Sequence, residues 1–207
     1  MKVEGRVGAI TASVGDEEPV RLHTDGALVT RGSSAKYEDA VLAGNVYVAS
    51  NQAAVALTAA MATTYTGLCL FNPSTSTKNL VLLGAGYSTT VAVPTATVIG
   101  LMTGTVVTAA TMTAAASITP RNRLVGSTNT SVAIVDDGCT LNGTPVLEQT
   151  FGSAWTEATT AGTVGPVTWV DMNGSLALKP GSYVAFYSFA ANTAAFICSF
   201  LWKEVSI

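Results

Sequence analysis

The chain has 207 residues, 48% of them hydrophobic and only 11% charged, with a formal net charge of -3, a pI near 5.0 and a mean hydropathy of +0.41. An ordinary soluble domain carries roughly 25% charged residues; here Thr, Ser, Asn and Gly stand where Lys and Glu would be, and threonine favours strands over helices. Burial of roughly 70% of the unfolded surface is within reach of this length without a disulfide or metal staple, and the acidic balance offers no basic face to a phosphate backbone, which argues against nucleic acid as a partner.

Charge is concentrated at the N-terminus. Residues 1–40 hold five of the ten basic residues (Lys2, Arg6, Arg21, Arg31, Lys36) and seven of the thirteen acidic ones (Glu4, Asp16, Glu17, Glu18, Asp25, Glu38, Asp39). The expected division is a charged N-terminal arm over 1–40 and a nearly neutral β-sandwich body over 41–207. Within the arm, short β-like pieces at 20–22 and 27–30 flank the turn signal Asp25-Gly26. Solvated coil and an extended arm that orders on a neighbouring subunit both remain open for it. Charges at Glu4, Arg6 and Asp16 to Glu18 interrupt any secretory-signal core, so synthesis and assembly in a cytoplasm are expected.

In the body, 45–50 (NVYVAS) reads as a strand and the Ala/Thr-rich 53–63 as a strand or short helix. Next comes an expected hairpin: 66–71 (TGLCLF), a turn through Asn72-Pro73-Ser74, and 78–83 (KNLVLL), the proline marking the turn because it lacks a ladder donor. Further strands are expected at 89–93, 97–102, 105–111, 131–135, 146–150 and 167–170. Between Asn79 and Pro120 no side chain is charged, but Gly84, Gly86, Pro94, Gly100, Gly104 and the many threonines break any run apolar enough for a spanning helix. A second hairpin is expected at the C-terminus: 175–178 leads through the turn Lys179-Pro180-Gly181 into 182–190 (SYVAFYSFA), with 194–205 (AAFICSFLWKEV) as its partner. Tyr183, Ala185 and Tyr187, with Val184, Phe186 and Phe189 as the second set, put apolar side chains on both faces and predict a strand covered on both sides. Many short strands, regular turns and no amphipathic helix predict an all-β sandwich or barrel. Strand order is not readable from this pattern.

Candidate chemistry is sparse. The only histidine, His23, lies in the charged leader, so a Ser-His-Asp triad would have to be completed from outside the body. Asp16-Glu17-Glu18 and Asp136-Asp137 match no calcium-loop spacing, and Asp136-Asp137-Gly138 most simply makes a turn. Gly84-Ala85-Gly86 lacks the third glycine and helix of a nucleotide site and predicts a bulge or bend. Cys69, Cys139 and Cys198 are odd in number and share no metal-like spacing; they read as buried free thiols. Trp155, Trp169 and Trp202, with Tyr65 and Tyr87, would line a sugar-binding face if exposed, but packing in the core is the simpler reading of Trp169 and Trp202. No catalytic, cofactor-binding or metal residue is assigned. A body so poor in charge suits self-association, because its surfaces meet without stranding ions.

The stretch 21–30 (RLHTDGALVT), followed by KYEDA at 36–40 and GNVYV at 44–48, resembles small virion proteins of tailed bacteriophages. So do LFNP at 70–73 with KNLVL at 78–82, and the close through Pro180-Gly181 to FLWKE at 200–204. The resemblance is to capsid decoration or cement proteins. It implies a jelly-roll-like antiparallel β-sandwich with an extended N-terminal arm, often a homotrimer, that sits on the outer capsid surface, contacts the major capsid protein and has no catalytic residues, no cofactor and no membrane contact. The alternative is a phage fibre or tail receptor-binding β module recognising surface glycans.

Overall fold

A computed structural model describes residues 36–93, 95–105, 117–141, 143–154, 168–192 and 195–207. The chain divides into two compact units, Met1–Asp39 and Ala40–Ile207. The leader expected over 1–40 lies outside the described residues except for 36–40.

After a single helical turn, α1 (Glu38–Leu42), the described chain is built of strands. They are β1 (Val46–Ser50), β2 (Thr64–Asn72), β3 (Lys78–Thr89), β4 (Thr97–Thr105), β5 (Ser117–Ile118), β6 (Arg121–Asn122), β7 (Ile134–Thr140), β8 (Val146–Ala154), β9 (Thr168–Leu178), β10 (Ser182–Ser188) and β11 (Phe196–Ser206). Two antiparallel sheets form the expected sandwich: a five-stranded sheet in the order β6-β1-β11-β3-β9 and a six-stranded sheet in the order β5-β7-β2-β10-β4-β8.

Alternation along each strand places the core. On β11, Phe196, Cys198, Phe200 and Trp202 are buried while Ile197, Ser199, Leu201 and Lys203 between them are only partly so. The period of two turns the first set toward the other sheet. There they join Tyr47 and Ala49 of β1, Leu80 and Leu82 of β3, Leu68 and Leu70 of β2, Ile99 and Leu101 of β4, and Val184 and Phe186 of β10. Phe186 and Phe200 meet across the core with ring centroids 4.8 Å apart, and Tyr47 stacks on Trp202 at 6.1 Å and 25°. Strand β10 is buried at every position, as its apolar residues on both faces predict.

Connectivity departs from the sequence reading. Neither expected hairpin forms: β2 and β3 lie in different sheets, as do β10 and β11. Among the described residues no strand pairs with its immediate neighbour in the chain. With the β5 to β7 stretch set aside, β1 pairs with β11, β2 with β10, β3 with β9 and β4 with β8, first with last and inward to the middle. The physical reason is that strands such as β10 and β11 both carry an aromatic inner face. Facing each other across the core, as Phe186 and Phe200 do, lets each cover the other, whereas side by side both would still need a cover.

Local differences follow the same logic. Residues 53–63 form neither strand nor helix, but are tied to the sheets by bridges from Val55 to Phe196 and from Ala59 to Ser188. Asn51 anchors this loop: its Oδ1 accepts the Cys198 N–H at 2.6 Å and its Nδ2 donates to the Phe196 carbonyl at 3.0 Å. Asp136-Asp137-Gly138 is not a turn but the middle of β7, where Asp136 Oδ1 accepts the Gly138 N–H at 2.9 Å opposite a bulge in β2 between Thr66 and Cys69. Of the strand expected at 89–93 only Thr89 is in a strand, and of 105–111 only Thr105 is both described and in one. The bulge expected near Gly84 is present, between Leu82 and Gly84, inside a β3 that continues to Thr89.

Candidate functional site

Both sheets have an outer face, and the two differ in chemistry. On the six-stranded sheet, the β10 residues that point away from the core are Tyr183, Ala185 and Tyr187. They cluster with Cys69 and Phe71 of β2, Met102 of β4, and with Tyr65, Cys139 and Leu141, all buried. This layer is closed to water. Burial pushes the Tyr183 hydroxyl up to about 12, with the neighbouring Cys69 and Cys139 adding to the rise. Burial likewise raises the Cys69 and Cys198 thiols well above their ordinary value. All three cysteines are free and buried, and the raised Cys69 and Cys198 thiols disfavour the thiolate that nucleophilic or redox chemistry requires.

The outer face of the five-stranded sheet is open. Pairing registers lay Ser50, Ser199, Gly86 and Trp169 in one row across it and Val48, Leu201, Gly84 and Asp171 in the next. The Trp169 indole leans from β9 onto β3, its ring lying over Gly84 and Gly86, where a Cβ on either glycine would collide with it. Its floor is therefore bare backbone, and 49% of the residue remains exposed. Glycine is required at these two positions by the closeness of the ring. Beside the indole, Ser50 and Ser199 share a hydroxyl to hydroxyl bond of 2.6 Å, and Asp171 Oδ1 accepts the Asn173 N–H at 3.2 Å.

Each sheet also ends in an edge strand among the described residues. Strand β8 ends the six-stranded sheet and β9 ends the five-stranded sheet, each with one paired neighbour among the described residues. On β8, Val146 and Leu147 are exposed, and only Glu148 in this strand is charged. An edge strand with free N–H and C=O groups and apolar side chains is a template for pairing with another chain.

The aromatics singled out in the sequence thus separate. Trp202, Tyr65 and Tyr87 are core residues, Trp169 is a surface residue, and Trp155 lies outside the described residues, as do His23 and Asp16-Glu17-Glu18. The signal that could have singled out Trp169 was the Gly84 and Gly86 pair, which leaves room for a ring, but the register that joins them is long-range. A pocket of about 170 Å³ between β4, β9 and β10 has Tyr183 as its one titratable lining residue. Among the described residues no group of three or more His, Cys, Asp or Glu is placed to hold a metal ion, and no helix is long and apolar enough to cross a membrane. Compared with known proteins, the chain matches no family model, no curated protein and no solved structure.

Proposed function

We propose that this chain is a virion structural protein without enzymatic activity, which decorates and cements the outer shell of a tailed-phage capsid as a homo-oligomer, most simply a trimer, after assembly in the host cytoplasm. The observation that carries the reading is the β8 edge strand, where Val146 is 64% exposed and Glu148 is the one charged residue. Apolar edges of this kind meet copies of themselves or a partner at small desolvation cost. The first-with-last pairing of strands supports taking the sandwich for a jelly roll. Bridging neighbouring major capsid subunits adds interface that must break before the shell parts, and contacts tethered together act at high effective concentration. Residues 1–40 are the arm that contacts the shell or a neighbouring protomer.

Sedimentation of the full chain, alone and with particles assembled from the major capsid protein, tests this. The wild type is expected to sediment as an oligomer and to co-sediment with particles, and Val146→Lys with Leu147→Glu is expected to abolish the oligomer while leaving a folded monomer. A wild-type monomer at micromolar concentration that ignores the particles would end the proposal.

A further inference from the structure

We infer that the Trp169 indole, seated on the Gly84 and Gly86 backbone, is a stacking platform for a neutral pyranose ring. This goes beyond the cementing role and does not rest on it. Three observations carry it. The first is geometry: the ring is set against β3, where a Cβ on Gly84 or Gly86 would collide with it, while 49% of the residue stays exposed. An aromatic side chain of this kind is both a large apolar surface and, through its N–H, a polar handle. It is fixed in orientation before any ligand arrives, so little is lost in ordering it on binding.

The second is the surroundings. The row that contains Trp169 continues through Ser199 to Ser50, two hydroxyls already bonded to each other at 2.6 Å, and the next row brings the Asp171 carboxylate beside Gly84. A pyranose presents axial C–H groups on its face and hydroxyls around its rim, and it matches an apolar plate edged by hydroxyls and one carboxylate. Along this face the charged side chains include Asp171 on β9, Lys203 on β11 and Arg121 on β6 opposite Val48; the one in the row beside Trp169 on its own strand is the Asp171 carboxylate, which disfavours an anionic ring there.

The third is size. A stable contact between folded proteins takes about 800 Å² from each partner. Around the indole the described apolar neighbours in these rows are the half-buried Leu201 and Val48, with the exposed Val205 at the far end of β11, so the apolar patch at Trp169 is closer to the footprint of a single sugar ring than to a protein interface.

The test uses the full chain and four neutral oligosaccharide probes, built of glucose, mannose, galactose and N-acetylglucosamine, by saturation-transfer NMR and calorimetry. At least one probe is expected to receive saturation at its ring C–H protons. Affinity for it should fall roughly tenfold or more in Trp169→Ala, the equivalent of losing one aromatic contact. Gly84→Ala should cause a similar loss, because the three atoms nearest its new methyl all belong to the indole, whereas Trp169→Phe should keep part of the binding. Failure of all four probes at millimolar concentration, or full affinity in Trp169→Ala, overturns the inference. So does a change of oligomeric state in Trp169→Ala, which would make the plate a contact between copies. Capsid co-sedimentation of the same variants is read separately, so that loss of cementing and loss of sugar binding are distinguished.

Discussion

The outer faces of the two sheets both carry aromatics and use them oppositely. On the six-stranded sheet, Tyr183, Phe71 and Tyr187 sit in a closed apolar layer; on the five-stranded sheet, the Trp169 ring lies over two glycines and the residue is half exposed. The difference teaches that an aromatic in an apolar strand is not assigned to the core by its neighbours in sequence. What decides is whether the strand alongside offers a side chain to pack against or bare backbone to lie on.

That contrast is open to direct attack. If the closed face is structural, Phe71→Ala should cost about 3–5 kcal/mol. Thermal melting should then fall by roughly 10 °C for a chain of this size, and a change within a degree or two would mean that the face is not packed. A slightly smaller loss, about 3 kcal/mol, is expected for Glu204→Ala in chemical denaturation. At the end of the core this buried carboxylate pairs with Lys78 at 2.8 Å and accepts the Ser131 hydroxyl at 2.6 Å and the Val132 N–H at 2.9 Å. Its removal strands these donors, and a Glu204→Gln variant that recovers most of the loss would locate the effect in the hydrogen bonds rather than the charge.

The closed face should also register pH. Tyr183 titrates near 10 when unfolded and near 12 when folded, and Cys69 is raised above its ordinary 9.0. Groups whose folded values are raised contribute stability that is complete below the unfolded values and is lost as pH climbs through the folded ones. Denaturant midpoints should therefore hold below pH 9, then decline from there to about pH 12. Tyr183→Phe should flatten the upper part of that decline, and an unaltered slope would show that Tyr183 is not shielded. The smallest stability effect belongs to the open face: Trp169→Ala should change stability by less than about 1 kcal/mol, while its binding phenotype is large.

Strand-forming segments were legible because they rest on local chemistry. The run SYVAFYS has apolar side chains on both faces, and β10 is buried on both; Asn72-Pro73 ends a strand because proline cannot continue the ladder. The register was not legible. Gly84 and Gly86 read as a bulge or bend, and a bulge is there, yet their second use as the seat of an indole depends on β9 pairing with β3 from more than 80 residues away. Asp136-Asp137-Gly138 carried every mark of a turn, but the bulge across from it in β2 lets the ladder continue through it.

By itself, then, the sequence determined the class of fold, the free thiols and the division of charge between leader and body, because period-two burial, cysteine count and charge density are properties of neighbouring residues. Tertiary structure alone decided which strands pair, first with last rather than each with the next, and so which tryptophan met the core and which met water. The reason is that sheet pairing is governed by the burial of whole faces: a choice between partners far apart in the chain costs little extra loop entropy but changes every contact a side chain makes.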